Sequence, residues 1–311
     1  MIIHSDSSAL YKLFDILPAS VSACLNRLDT ESRNKINEIR LRKGGIVTVT
    51  VNNKNCVLTS CGIEKCSSKA CTVSHEELDD LIYKACKGSI YSRESSINSF
   101  YITYNGIRMG LGGTVSSDGK LSDITSVNIR IPRHIDGCSN GIMEYIRDGG
   151  LQDGKGILIV SPPGMGKTTV LRDLAQKLST AKRKSDDSEM LRVAVIDERF
   201  EIYMPEIFNS CCVDFLSGVE KTRGIETAVR LLSSEIIICD ELSGADEAEK
   251  IIRCKNSGTV FIASYHASDA KTALSKNYIK KMFDENVFGA IYSLKRDGLG
   301  IKGEINVYAD N

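Results

Sequence analysis

Gly156-Ile-Leu-Ile-Val-Ser-Pro-Pro-Gly-Met-Gly-Lys-Thr-Thr169 carries an apolar stretch into a proline- and glycine-rich turn and then into Lys-Thr-Thr. This is the order of a buried strand, a phosphate-cradling loop, and a helix whose N-terminus faces the anion. Ile157 to Val160 reads as the strand. Ser161, Pro162, Pro163, Gly164, Met165 and Gly166 read as the loop, in which Gly164 and Gly166 let main-chain N–H groups approach phosphate oxygens. Lys167 is then expected to reach the β- and γ-phosphates, Thr168 to ligate Mg2+, and Thr169 to lie near the α-phosphate. Ser161 stands where the strict pattern has glycine, but it is small and the two prolines stiffen the turn. The predicted ligands are ATP and Mg2+.

A second apolar run, Glu235-Ile-Ile-Ile-Cys-Asp-Glu241, ends in two carboxylates, as the other half of such a site should. Asp240 is the candidate for the Mg2+ shell and Glu241 for the base that orients and deprotonates water. A solvated pair capping a helix start would show the same two letters. Val193-Ala-Val-Ile-Asp-Glu-Arg-Phe-Glu201 also ends in charges, which makes Asp197, Glu198 and Glu201 further candidates. Glu198 competes with Glu241 for the base role. After Thr259 to Ser264, His266 sits where a γ-phosphate sensor would, or where a structural histidine would.

Working outward, strand and helix patterns alternate from Gly156 to Ser264, with helices expected from Lys167, near Arg223 to Leu232 and near Ala245 to Cys254. Alternation with continuously apolar strands predicts an α/β fold: a RecA/AAA-like P-loop ATPase domain with a parallel sheet, spanning 136–311. A smaller α+β domain over 1–135 precedes it, and Asp136 to Gly141 is the candidate linker. The smaller domain should hold a helix broken near Pro18 and a strand pair within Ile36 to Val51. That pair is Ile36 to Arg42 and Ile46 to Val51 about a turn at Gly44-Gly45, with Asn52-Asn53 as the hairpin turn that follows; the domain should also hold a helix capped by Ser74 and Glu77, and a hairpin turning at Asn105-Gly106. Lys182 to Glu189 reads as a charged loop.

Lys plus Arg total 40 and Asp plus Glu total 40, so no net positive field favours nucleic acid as a partner. No apolar run approaches the ~18 residues of a membrane span, and Met1 to Leu10 lacks the pattern of a signal peptide, which predicts a cytoplasmic protein. Its 11 cysteines are then expected to be reduced. Cys56, Cys61, Cys66 and Cys71 recur every fifth residue, unlike the closely paired cysteines of zinc knuckles.

Motifs along nearly the whole chain resemble the stage III sporulation protein AA family, related to secretion-system and AAA-type ATPases. They include Glu38-Ile-Arg-Leu-Arg42, Arg108-Met-Gly-Leu111, Ser126-Val-Asn-Ile-Arg-Ile-Pro-Arg133, the phosphate loop, Leu171-Arg-Asp-Leu174, Asp197-Glu-Arg199, Cys239-Asp-Glu241 and Leu294 to Gly300. The resemblance implies a homo-oligomer, in related secretion ATPases a hexamer. It further implies work at a sporulation channel in the mother cell, peripheral to the membrane through membrane-embedded channel proteins. It makes Arg130 and Arg133 candidates for arginines that reach the phosphates, often from a neighbouring subunit, with Arg40, Arg42 and Arg108 behind them; each could equally serve a salt bridge. Ser264-Tyr265 departs from the small residues usual before His266. Besides an ATPase, a nucleotide-gated assembly switch and a RecA-like DNA motor share these motifs. Turnover separates the first two, and salt-dependent DNA binding tests the third.

Overall fold

The computed structural model describes residues 8–51, 54–180, 182–183, 186–255, 257–297 and 300–308. The chain divides into two compact units, one ending at Arg133 and one beginning at His134.

The first unit is built on an antiparallel sheet. Its strands are β1 (Ile36–Arg42), β2 (Thr48–Val51), β3 (Lys54–Thr59), β4 (Gly62–Glu64), β5 (Tyr101–Tyr104), β6 (Ile107–Val115) and β7 (Leu121–Arg130), in the order β4-β3-β2-β1-β7-β6-β5. Helix α1 (Ala19–Arg27) starts after Pro18, which cannot continue a preceding helix. Helix α2 (His75–Ala85) opens with a reciprocal capping box between Ser74 and Glu77. Asn105 and Gly106 both take positive φ, 48° and 80°, as the β5–β6 turn requires. The pairing of β1 with β7, Ile39 opposite Ile129, closes the sheet across a long stretch of chain. The expected turn at Asn52-Asn53 lies outside the described residues.

The second unit is a sheet covered by helices on both faces. Its strands are β8 (Gly156–Ser161), β9 (Val193–Asp197), β10 (Val213–Ser217), β11 (Ile236–Glu241), β12 (Val260–His266), β13 (Phe288–Asp297) and β14 (Gly300–Val307). The order is β10-β9-β11-β12-β8-β13-β14. Every neighbouring pair is parallel except β13–β14, so the parallel sheet expected is present and carries an antiparallel hairpin at one edge. All six residues of β8 are buried because both faces are covered. Ile157 and Ile159 pack with α3 (Asn140–Arg147) and α4 (Lys167–Leu178). Leu158 and Val160 pack on the other face with α5 (Lys221–Arg230), α6 (Ala245–Lys255) and α7 (Asn277–Asp284). The stretch expected as a charged loop pairs instead as a two-stranded ribbon, residues 182–183 against 186–190. All eleven cysteines are free thiols. No helix among the described residues is long and apolar enough to cross a membrane.

Candidate active site

Parallel pairing carries the ends of β8, β12, β11 and β9 to one edge of the sheet. Ser161 stands opposite His266, Glu241 opposite Ser264, and Ile196 opposite Cys239. Open α/β sheets bind ligands at this edge. Between Cys239 and Glu241 the register slips by one residue, so Asp240 is an extra residue against β12. Such a bulge re-aims side chains where a strand runs out.

The loop leaves β8 at the buried Ser161, exposes Pro162, Pro163 and Gly164, and buries Met165. Gly164 and Gly166 hold φ of 73° and 84°, the left-handed region that suits glycine, and Gly166 is the N-cap of α4. Lys167, Thr168 and Thr169 form the first turn of α4, where free N–H groups gather.

Lys167 is only 6% exposed. Its ammonium donates to the Ser161 carbonyl at 3.0 Å, lies 3.4 Å from Ser161 Oγ, and meets His266 Nδ1 at 2.5 Å. Burial pulls its pKa down to about 8, against the opposing pull of the Glu241 and Asp240 carboxylates. An ammonium only donates, so Nδ1 of His266 accepts and Nε2 carries the imidazole hydrogen. That Nε2 faces Glu241 Oε2 at 3.3 Å, and Arg199 Nη1 lies 3.4 Å from the same oxygen. A polar chain therefore runs Lys167–His266–Glu241–Arg199. Asp240 is 5% exposed, and among the described residues its carboxylate accepts no hydrogen bond. Its charge acts on the Lys167 and Arg172 cations from the end of β11.

Lys221, at the start of α5, is a site residue that sequence reading missed. It is 3% exposed, donates to the Glu241 main-chain carbonyl, and reaches both Glu247 oxygens at 3.3 Å. Glu198 Oε2 is 3.9 Å from the same ammonium. The candidate base Glu198 and the backbone of Glu241 thus share one buried cation. Asp197 has a different task. Its carboxylate accepts from the N–H groups of Glu201, Ile202 and Tyr203 at 2.8, 3.1 and 2.9 Å, while burial raises its pKa. Arg172 holds the same loop from α4, donating to the carbonyls of Ile202 and Glu201. Asp197 and the Glu201 backbone therefore fix the loop that follows β9.

His134, Asp136 and Asp173 also bring metal-ligating atoms within 4.8 Å of one another. Asp173 already accepts from Ser139 N at 2.7 Å and Ser139 Oγ at 2.6 Å, and Lys177 Nζ stands 2.8 Å from it. That ammonium supplies the positive charge there.

Arg130 and Arg133 belong to the first unit. Arg130 ends β7 opposite Glu38, with 3.6 Å between Nε and Oε1, and burial lowers the Arg133 pKa. Arg40 lies 3.4 Å from Glu38, Arg42 donates to Thr48 Oγ1 at 3.3 Å, and Arg108 covers the Tyr101 ring at 4.5 Å.

The family model described as "Sporulation stage III, protein AA" matches residues 9–309. The chain is similar to the stage III sporulation protein AA of Bacillus subtilis strain 168, at 25% identity over 295 residues, 92% of this chain and 91% of that protein. Among solved structures it resembles the ATPase DotB of Legionella pneumophila, with TM-score 0.57 and 14% identity, covering 89% of this chain and 78% of that one. It also resembles the pilus retraction motor PilT solved with bound ADP, with TM-score 0.61 and 13% identity, covering 90% and 82%. At those identities the structural likeness speaks for the fold alone.

Proposed function

This chain belongs to the sporulation stage III protein AA family, and from that premise we propose that it is a Mg-dependent ATPase whose turnover drives assembly or transport at a secretion-like sporulation channel. The observation that carries the reading is the meeting, at one sheet edge, of the Gly164–Thr169 turn with the Asp240–Glu241 pair, the acidic pair pulling on Lys167.

In this reading the first-turn amides of α4 and Lys167 bind the phosphates. Lys167 moves from Ser161 and His266 to the β- and γ-oxygens. Thr168 and Asp240 would hold Mg2+; the buried carboxylate of Asp240, with no hydrogen-bond donor among the described residues, fits a cation. Bound there, the ion would neutralise charge on the phosphate oxygens. Glu241 orients the attacking water and accepts its proton, and His266, released by Lys167, reports on the γ-phosphate. Glu198 is the alternative base. Arg130 and Arg133 act in trans within a ring, by analogy a hexamer, stabilising charge in the transition state. The protein works in the mother-cell cytoplasm, held at the membrane by channel partners.

Phosphate release by the full chain with Mg-ATP tests this. Lys167→Ala should abolish it, while Glu241→Gln should bind ATP yet turn over at least ~100-fold more slowly. If Glu198→Gln shows that loss and Glu241→Gln does not, the base roles exchange. Full turnover by both Lys167→Ala and Glu241→Gln would refute the ATPase.

One observation favours a second reading, the nucleotide-gated assembly switch. Within a single chain Glu241 is engaged by His266 and Arg199. Near-zero turnover at every protein concentration, with ATP-dependent assembly retained, would select it.

A further inference from the structure

The edge hairpin β13–β14 continues past the end of β8, where Val160 pairs with Ser293 while β13 runs on to Asp297. Its two strands pair to their last described residues, with Leu294 opposite Gly303, Arg296 opposite Ile301, and Asp297 opposite Gly300. Directly opposed residues of an antiparallel pair share a face, and that face recurs every second residue. Tyr292 and Leu294 belong to the apolar cluster that also holds Val170 and Leu171 of α4, and Ile305 packs against it. Arg296 and Ile301 extend the same face by one step toward the phosphate loop.

The contact is close. A methyl group on Gly166 would lie 3.8 Å from Ile301 Cδ1 and 4.0 Å from Thr169 Oγ1. Ile301 thus borders the loop on the side of Thr169, the residue expected nearest the α-phosphate, past which the ribose and base must leave. Yet Ile301 is 45% exposed, and Arg296 is exposed with no ion-pair partner among the described residues. An open apolar side chain beside a free guanidinium offers a surface on which a planar base stacks, with dispersion from one and a cation–π contact from the other.

We propose that Arg296 and Ile301 form the base subsite of the nucleotide site, a platform that takes a purine by stacking. This rests on the nucleotide reading above. It is tested by calorimetric titration of the full chain, in Mg2+, with a non-hydrolysable ATP analogue and separately with inorganic tripolyphosphate. The wild type should bind the analogue more tightly than tripolyphosphate. Arg296→Ala and Ile301→Ser should each weaken the analogue by about 5-fold or more, as expected for loss of base stacking. Tripolyphosphate binding should stay unchanged. Arg296→Lys, which keeps the charge but not the plane, should behave as Arg296→Ala does.

Equal weakening of both ligands would make Arg296 a phosphate contact and overturn the platform, as would an unchanged analogue affinity or full rescue by lysine. Lys167→Ala separates the two layers of argument, because it should weaken both ligands. If it weakens neither, the nucleotide site itself is misassigned and the base subsite falls with it.

Discussion

Lys167 is held in a state of tension: its ammonium is buried among Ser161, His266 and two nearby carboxylates, and the net effect brings its pKa to about 8. Phosphate oxygens favour the charged form, so nucleotide binding should raise that pKa. Below about 8 the lysine is charged in the free and bound states alike. Above it, binding takes up a proton, and affinity should fall by up to ~10-fold per pH unit. Calorimetry in buffers of different ionisation enthalpy should show uptake approaching one proton per nucleotide above pH 8 and little at pH 6.5. Lys167→Arg should abolish the uptake, because a guanidinium stays charged; uptake that persists in it would point to another group. For folding the pH dependence is opposite. The folded pKa lies below the ordinary 10.5, so burying the charge opposes folding fully below about 8, and that opposition is relieved as pH rises toward 10.5. Lys167 and the Asp240–Glu241 pair were legible because each belongs to a short motif with a local physical reason. Lys221 and Arg172 were not. A lysine or arginine on a helix reads as solvated, and only strands brought from elsewhere in the chain bury them.

At the level of elements, legibility followed how local the determining contacts are. The Ser74–Glu77 box needs only four residues, and it forms with Glu77 N to Ser74 Oγ at 3.1 Å and Ser74 N to Glu77 Oε2 at 2.8 Å. Ser74→Ala should therefore cost ~1 kcal/mol and Ser74→Gly only a few tenths, read as a lower urea midpoint at constant slope. No change with alanine would mean that packing of Leu78, Leu81 and Ile82 alone sets the helix start. Strand β7 escaped the reading because Ser122, Asp123, Thr125, Ser126 and Asn128 dilute its apolar alternation, and its partner β1 lies far back in the sequence. The β13–β14 hairpin escaped too, although Phe288 to Leu294 is wholly buried. Nothing in that run shows that it inserts beside β8, which only the assembled sheet decides. The ribbon of 182–183 with 186–190 shows the converse, a charged composition pairing as strand where a loop is the default.

At the scale of the molecule, the two units raise the question of whether one chain suffices for catalysis. The candidate phosphate loop and both candidate bases lie in the second unit, whereas Arg130 and Arg133 lie in the first. If those arginines serve a neighbour's nucleotide, a ring site draws its lysine from one chain and its arginine from another. Two inactive variants then carry complementary defects. Lys167→Ala lacks a phosphate clamp but keeps its arginines, and Arg133→Ala keeps the clamp but lacks the arginine it should lend. Mixed in equal amounts, they should regain a measurable part of wild-type phosphate release, because some mixed neighbours assemble a site with both residues. An arginine serving its own chain's nucleotide predicts no recovery at any ratio. The same experiment with Arg130→Ala shows which arginine reaches across. A mixture that stays inactive, while sizing shows that both variants co-assemble, would remove the trans assignment and leave the arginines to their own chain.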